Sequence, residues 1–328
     1  MSTAKNTAQG SCPSHFTNYM HSSQGEKQLW GLDLGGTKIE GVVLKSAQEP
    51  EVLYRYRLPT GADQGYAHVM GQIKQLVGHL EQAVGCPPPS LGLATPGTLV
   101  PRTGLLKNSN ATCLNGRPLK ADLEKLLGIR VEMANDANCF ALAETRLGVV
   151  KQRFPDARVV FGIILGTGVG GGLVVNGQVL EGSNGIAGEW GHNYLLEGEG
   201  TPCFCGKMGC NEGILAGPAL QRYYASLTGH ARPLPEIVER AAAGLDPAAE
   251  ATMQRLFSLF GRALSLVVNI VDPDVIVIGG GVGNIERLYT EGVRHVAPFV
   301  FDHVFDTPVV KPLLGDSAGV FGAAYLVA

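Results

Sequence analysis

Between Gly188 and Glu212 the chain reads GEWGHNYLLEGEGTPCFCGKMGCNE, which gathers His192, Cys203, Cys205 and Cys210 into one loop. Thiolate sulfur and imidazole nitrogen are the ligands of a closed tetrahedral zinc site, and Gly206 and Gly209 let the backbone turn tightly between them. The plainer alternative is a run of reduced surface thiols. Three cysteines in eight residues, punctuated by glycine, speak against it. Four protein ligands fill the tetrahedron and leave no place for water or substrate, so the expected work of the metal is structural. Glu189, three residues before His192, and Glu212, two after Cys210, flank the ligands. The loop therefore reads as a clip that presents carboxylates to a site.

Three glycine-rich turns follow apolar runs: Asp33-Leu34-Gly35-Gly36-Thr37, Leu165-Gly166-Thr167-Gly168 and Gly279-Gly280-Gly281. Such turns expose successive backbone N–H groups and let phosphate oxygens approach where no Cβ intrudes. Asp33 would add a carboxylate suited to hold Mg²⁺ through water, and Thr37 and Thr167 would add hydroxyls. The first two turns repeat one device, an apolar strand, a small-residue turn and a second apolar strand, which points to an internal duplication with a nucleotide in the cleft between its halves. No GxxxxGK[ST] loop occurs. Gly166-Thr167-Gly168-Val169-Gly170-Gly171 opens like a dinucleotide fingerprint but leads into a strand, not a helix, so a Rossmann reading fails. Asp136, in Asn135-Asp136-Ala137-Asn138 at the end of a strand, has two readings: a general base in the cleft, or the N-cap of the helix that follows.

The elements that must position these groups begin at Leu29. Residues 29–45 and 52–60 read as a three-stranded meander, followed by a helix over 65–84 and a strand over 90–94 that stops at Thr95-Pro96-Gly97. A helix over 119–127 ends at Gly128, a strand over 130–133 runs into the Asn135–Asn138 turn, and a helix follows over 139–147. From Arg158 the meander pattern returns with an Asn176-Gly177 hairpin. Helices over 218–227, 235–243 and 247–271 come after the zinc loop. The last carries Met253, Leu256, Phe257, Phe260, Leu264, Val267, Val268 and Val271 on one core-facing stripe. A buried strand over 274–278 enters the third glycine turn, and Gly315 to Gly319 opens a terminal apolar helix.

With 328 residues, 45% apolar and 17% charged, the chain can bury a sizeable core and is expected to divide into about two domains. A net charge of -3 and a pI near 6.2 supply no field for nucleic acid or an anionic membrane, so neither is an expected partner. Seven cysteines, an odd number with Cys12, Cys86, Cys113 and Cys139 scattered, suit reduced thiols in a cytoplasm. No apolar run is read as reaching the roughly 18 residues of a membrane span. Residues 1–28 are polar and rich in Ser and Gly, which reads as a flexible leader without the apolar core of a signal peptide.

Asp33 to Lys38, Asn135 to Asn138, Leu165 to Gly168, Gly188 to His192, the CxCGxxGC loop and Gly279 to Gly281 together resemble the ROK family (repressors, open reading frames and sugar kinases), in the family's order from Leu29 to the end. Within it, residues 107–118, Trp190 and residues 268–276 are similar to bacterial fructokinase/mannokinase. The resemblance implies an α/β, actin-like ATPase (ribonuclease H-like) fold, duplicated into two domains around a nucleotide and sugar cleft. The small α/β domain would span 29–138 and be completed by a C-terminal helix at 316–328; the large α/β domain would span 139–315 and carry the zinc loop, 188–212. It implies transfer of the γ-phosphoryl of ATP, with Mg²⁺, to a sugar hydroxyl, with Asp136 as base. The nucleotide would be held by Gly31, Asp33, Gly35, Gly36, Thr37, Lys38, Gly166, Thr167, Gly168, Gly170, Gly171, Gly280 and Gly281. Asn110, Asn135, Asp136, Glu189, His192 and Glu212 would bind the hexose, His192 through the ring nitrogen not on the structural Zn²⁺. The acceptor implied first is D-fructose, giving fructose 6-phosphate, with mannose or glucose beside it. An N-acetylglucosamine or other N-acetylhexosamine kinase is the alternative, because ILGTGVGGG and NDANCFALAE occur there in much the same form. Some family members are sugar-sensing regulators, but residues 1–28 offer no apolar periodic segment for a helix-turn-helix. A homodimer is the family expectation.

Overall fold

The computed structural model describes residues 27–328, so all but the last two residues of the expected leader, Cys12 among them, lie outside the described residues. Strand β1 (Leu29–Leu34) pairs antiparallel with β2 (Lys38–Leu44), which pairs antiparallel with β3 (Val52–Pro59), forming the expected meander. Helix α1 (Tyr66–Val84) turns Val69, Ile73, Leu76, Val77 and Leu80 inward at helical spacing and ends at Gly85, whose φ of 76° makes a left-handed cap. Then β4 (Ser90–Thr95) lies parallel beside β1, and β5 (Thr98–Leu99) with β6 (Leu106–Lys107) makes a small hairpin. Helix α2 (Leu119–Leu127) leads to β7 (Arg130–Asn135), parallel to β4. The sheet order is β3-β2-β1-β4-β7. From β7 the chain passes straight into α3 (Asp136–Arg146), which starts three residues before the expected position. Asn135 is the reason: its Oδ1 accepts from Asn138 N at 2.7 Å and so takes the cap. Asp136 is therefore not the N-cap.

The second half rebuilds this pattern. After α4 (Val149–Arg153), β8 (Val159–Leu165), β9 (Val169–Val175) and β10 (Gln178–Val179) form a second antiparallel meander, its Asn176-Gly177 turn carrying φ of 51° and 73°, as a type I′ hairpin requires. Helices α5 (Asn211–Leu215), α6 (Gly217–Thr228), α7 (Leu234–Ala242) and α8 (Pro247–Val271) precede β11 (Val275–Gly279), β12 (Val309–Val310) and α9 (Ala318–Tyr325). The order β10-β9-β8-β11-β12, with β11 parallel to β8 and β12 parallel to β11, matches the first sheet strand for strand. Helix α8 is long and apolar enough to cross a membrane, against the expectation that no such stretch exists. Its predicted stripe from Met253 to Val268 is instead buried in the core of the second half with Phe161, Trp190 and Ile276.

The first half has its own core around Trp30, Leu32, Ile73 and Leu123, and a third cluster joins Leu29 and Val42 to Phe140, Val160 and Val320 across both sheets. Helix α9 lies against β1 and β4. A Cβ on Gly31 would collide with the backbone of Val320 and Ala324, and one on Gly92 with that of Ala323. Gly31, grouped above with the nucleotide residues, is thus a packing glycine in the middle of β1.

Candidate active site

Helix α3, lying against β8 and β9, packs on α9, which lies against β1 and β4, and beside this junction the ends of β7 and β8 and the start of β9 line a cleft. One cavity of about 290 Å³ takes Asn108, Asn110, Asn135 and Asp136 from the first half and early α3, and Glu189, His192, Phe204 and Glu212 from the second. All six residues expected to bind sugar line this one space. The loop that carries Asn110 is stapled by Asn115, whose Oδ1 accepts from Ser109 N and whose Nδ2 donates to Ser109 O, both at 2.9 Å. Asp136 opens onto the cleft floor, with Oδ1 2.8 Å from Ala137 N.

Between Trp190 and Glu212 the backbone folds back on itself, so that Tyr194 bridges to Cys210 and Asn211 N donates to Asn193 O at 3.0 Å. Buried Asn211 gives Nδ2 to Trp190 O at 2.7 Å, and Trp190 Nε1 donates to Gly170 O at 3.0 Å. Gly191 fits because a Cβ there would strike Val169 O. These contacts bring His192, Cys203, Cys205 and Cys210 together with ligand atoms all within 4.8 Å of one another. His192 Nδ1 lies 3.4 Å from Cys203 Sγ, and Cys205 Sγ lies 3.5 Å from Cys210 Sγ. Tetrahedral zinc with bonds of about 2.0–2.3 Å sets its ligands roughly 3.5–3.8 Å apart, so the donor set fits that metal. With Nδ1 turned to the sulfurs, Nε2 is left for the cleft. All six described cysteines are free. Burial, then the hydrogen bond with Cys205, pushes the Cys210 thiol up to about 12, so binding a metal there must displace protons. Glu212 reaches both ways: Oε2 accepts from Val169 N at 3.0 Å and Oε1 lies 3.8 Å from Cys203 Sγ.

Three carboxyls in the cleft are held above their ordinary values. Burial, then the neighbouring carboxylates of Asp136 and Glu40, pushes Asp33 from 3.8 up to about 6. Enclosure at the cleft floor raises Asp136, and burial raises Glu189, opposed by His192 and by a hydrogen bond from Asn135. A cluster of acids that resist ionisation is short of positive charge, and a hydrated divalent cation held by Asp33 and Asp136 would supply it.

Asp136 also lines a second cavity, of about 430 Å³, with Asp33, Gly279, Gly280, Gly281, Pro312 and Gly319. A third, of about 610 Å³, continues past Gly166, Thr167 and Gly281 to Gln221, Leu234, Val238, Glu239 and Asn284. The second and third glycine turns meet here: a Cβ on Gly166 would lie 3.9 Å from Gly281 N. Gly168 and Gly170 line the 290 Å³ cavity. The remaining residues expected at the nucleotide sit elsewhere. Gly35, Gly36, Thr37 and Lys38 form a turn that is not a wall of these three cavities, although Gly36 points at Asn110 Oδ1, 4.0 Å from where its Cβ would be. Thr60 pins that turn by donating Oγ1 to Gly35 O at 2.7 Å. Gly171 is a packing glycine under Trp190, since a Cβ would press on Gly188 O and the indole.

Sequence reading missed Asn108, held at a left-handed φ of 59°, and Phe204, 69% exposed with its ring edge-on to His192 at 4.9 Å. Both lie within stretches singled out for other residues, and an apolar residue between two candidate metal-ligating cysteines was the available signal for Phe204. Beyond Gly166, Thr167 and Gly281, the 610 Å³ cavity carried no signal, because its other walls come from α6, α7 and the turn after β11 at no fixed spacing.

The profile of the ROK family matches residues 29–328. N-acetyl-D-glucosamine kinase of Vibrio vulnificus is 36% identical over 306 residues, covering 90% of this chain and 98% of that protein, and the Yersinia pseudotuberculosis enzyme of the same name is 34% identical over 307 residues with the same coverage. Among solved structures, a ROK hexokinase from Thermus thermophilus superposes with a TM-score of 0.81 at 33% identity over 92% of this chain and 98% of its own. A ROK glucokinase from Streptomyces griseus, solved with glucose and AMPPNP, gives 0.70 at 26% identity over 91% and 98%. The duplicated sheets are thus those of the actin-like ATPase fold. Matched to the family's profile over nearly its whole length and to full-length relatives above 30% identity, the chain belongs to the ROK family.

Proposed function

We propose that the protein is an ATP-dependent sugar kinase in which Asp136 is the base. The observation that carries this reading is the position of Asp136, among the described residues the one carboxylate common to the polar cavity of Asn110, Glu189 and His192 and to the glycine-walled cavity of Gly280 and Gly281. A sugar hydroxyl in the first and a terminal phosphoryl in the second would meet at its side chain. The purine fits the cavity of Gln221, Leu234 and Val238, with the phosphates running past Gly166 and Gly281 towards Asp136. Amides and carboxylates pair with the vicinal hydroxyls of a hexose because each side chain offers two sites. Asp136 accepts the hydroxyl proton and aims the oxygen in line with phosphorus; phosphoryl transfer asks little more of a base than position. Mg²⁺ bound with ATP would neutralise the phosphate charge beside Asp33, and zinc would hold the loop of Glu189, His192 and Glu212 in shape.

For the acceptor, the Vibrio and Yersinia relatives favour N-acetyl-D-glucosamine. The second reading is an unsubstituted hexose, D-fructose, D-mannose or D-glucose. It is supported by the Thermus hexokinase and by the KNSNATCLNGRP segment, which supplies Asn108 and Asn110 to the cleft wall. ADP release measured with each of the four sugars and Mg-ATP tests both. The highest kcat/KM on N-acetylglucosamine supports the first reading, the highest on a plain hexose the second, and no turnover of any sugar refutes the kinase.

A further inference from the structure

Glu144 stands on α3 eight residues beyond Asp136 and is fully buried. A buried carboxylate must be met by donors. Those of Glu144 are backbone N–H groups: Val149 donates to Oε2 at 2.8 Å, Leu313 to both oxygens at 3.0 and 3.1 Å, and Leu314 to Oε1 at 2.9 Å. Gly148 makes room, since a Cβ there would collide with the carboxylate. Val149 is a local partner. Leu313 and Leu314 lie 169 and 170 residues along the chain.

The topology gives this contact its meaning. The chain passes from the first sheet to the second through α3, and returns towards the first between β12 and α9. Glu144, on the outward crossing, grips the return crossing by three hydrogen bonds. The gripped segment begins at Pro312 and runs on through Gly315, Ala318 and Gly319, all of them walls of the cavity that Asp33 and Asp136 share. Leu313 is an exposed residue, but its N–H is turned in to the buried carboxylate, which fixes the distance between this wall and the helix that carries Asp136.

We propose that Glu144 is a positioning residue, a latch between the two interdomain crossings that sets where the phosphate wall stands relative to Asp136. This rests on the kinase reading of the cleft. Among the described residues, none from 312 to 319 lines the cavity of Asn110, Glu189 and His192, so releasing the latch disturbs the ATP side and spares sugar binding.

The test is Glu144→Gln in the full-length chain, which keeps the shape but turns one acceptor into a donor facing N–H groups. Expected are a fall in kcat of at least tenfold and a rise of about tenfold in KM for ATP, with KM for sugar within twofold, metal content unchanged and faster hydrogen exchange across 311–317. Leu313→Pro deletes one donor at an exposed position without touching the buried charge, and should give the same defect in milder form. Parental kcat and ATP KM in folded Glu144→Gln overturn the latch, as does a loss that merely tracks the fraction of folded protein. If Glu144→Gln does not fold, Leu313→Pro decides, and parental kinetics in it overturn the proposal. If the parent chain phosphorylates no sugar, the kinase reading fails on its own account. Hydrogen exchange then judges the latch alone: protection at 311–317 that is the same in parent and variant refutes it.

Discussion

Asp33 is held against its own ionisation, which should be measurable as lost stability. Its carboxyl stands at about 6 in the fold against 3.8 for the free group, with burial the main cause and Asp136 next. Each pH unit of such a difference is worth about 1.4 kcal/mol, so full ionisation costs the fold up to about 3 kcal/mol. Water in the open cleft screens part of this, leaving roughly 1–2 kcal/mol. The sign follows from proton counts. Between about pH 4 and 6 the folded chain holds more protons at this site than the unfolded chain, so stability falls as pH rises through that window. The cost is complete above pH 6 and absent below pH 4. Asp33→Asn removes the ionisable group and should therefore raise the free energy of unfolding by about 1–2 kcal/mol at pH 7.5, a gain that fades to nothing at pH 4. Urea unfolding of both proteins at pH 4, 5, 6 and 7.5, without nucleotide or divalent metal, reads it directly. The same variant should lose at least tenfold in turnover with Mg-ATP. A gain of equal size at pH 4 and 7.5, or a variant less stable at pH 7.5, refutes the reasoning.

Asp136→Asn should keep sugar and ATP binding, seen by calorimetry, while turnover falls by about 10²–10⁴, the usual reach of a general base; activity within threefold of the parent would remove Asp136 from that role. The purified chain should carry one zinc, and Cys205→Ser should lower both metal content and melting temperature, because closed sites contribute folding energy; elemental analysis that finds no zinc ends the argument. His192→Gln, which removes a metal ligand and a cleft donor together, should raise KM for sugar by one to two orders of magnitude and KM for ATP by less than about threefold, at about 1.4 kcal/mol per tenfold. Equal movement of both constants would assign the loop to the nucleotide or to the global fold.

How much of this was legible in the chain depends on how local each cause is. The four residues of the candidate metal cluster are close in sequence, and the Asn176-Gly177 hairpin demands left-handed φ at both residues, so both groupings could be read directly. The duplication was visible because each half repeats an apolar strand, a glycine turn and a second apolar strand, as the matched sheet orders bear out. Glycine roles were not separable: Gly31 and Gly171 make way for α9 and Trp190, and in sequence they look no different from Gly280 at a cavity wall. The start of α3 was misplaced because Asn135 to Asn138 read as a turn, whereas Asn135 Oδ1 accepts from Asn138 N and makes those residues the first turn of the helix. Glu144 ends the NDANCFALAE segment, but its role could not be read there, since its partners are backbone groups that any residue supplies.

Glu212 touches the backbone of the second glycine turn with one oxygen and faces a thiol of the metal loop with the other. Two walls of the cleft thus share a single side chain, and a side chain cannot be fixed for one and free for the other. On the kinase reading, a hexose that settled Glu212 would settle the N–H of Val169 too, and ATP would meet a turn whose freedom had already been spent. Coupling of this kind is reciprocal by thermodynamic necessity. By whatever factor sugar changed the hold on ATP, ATP would have to change the hold on sugar by the same factor.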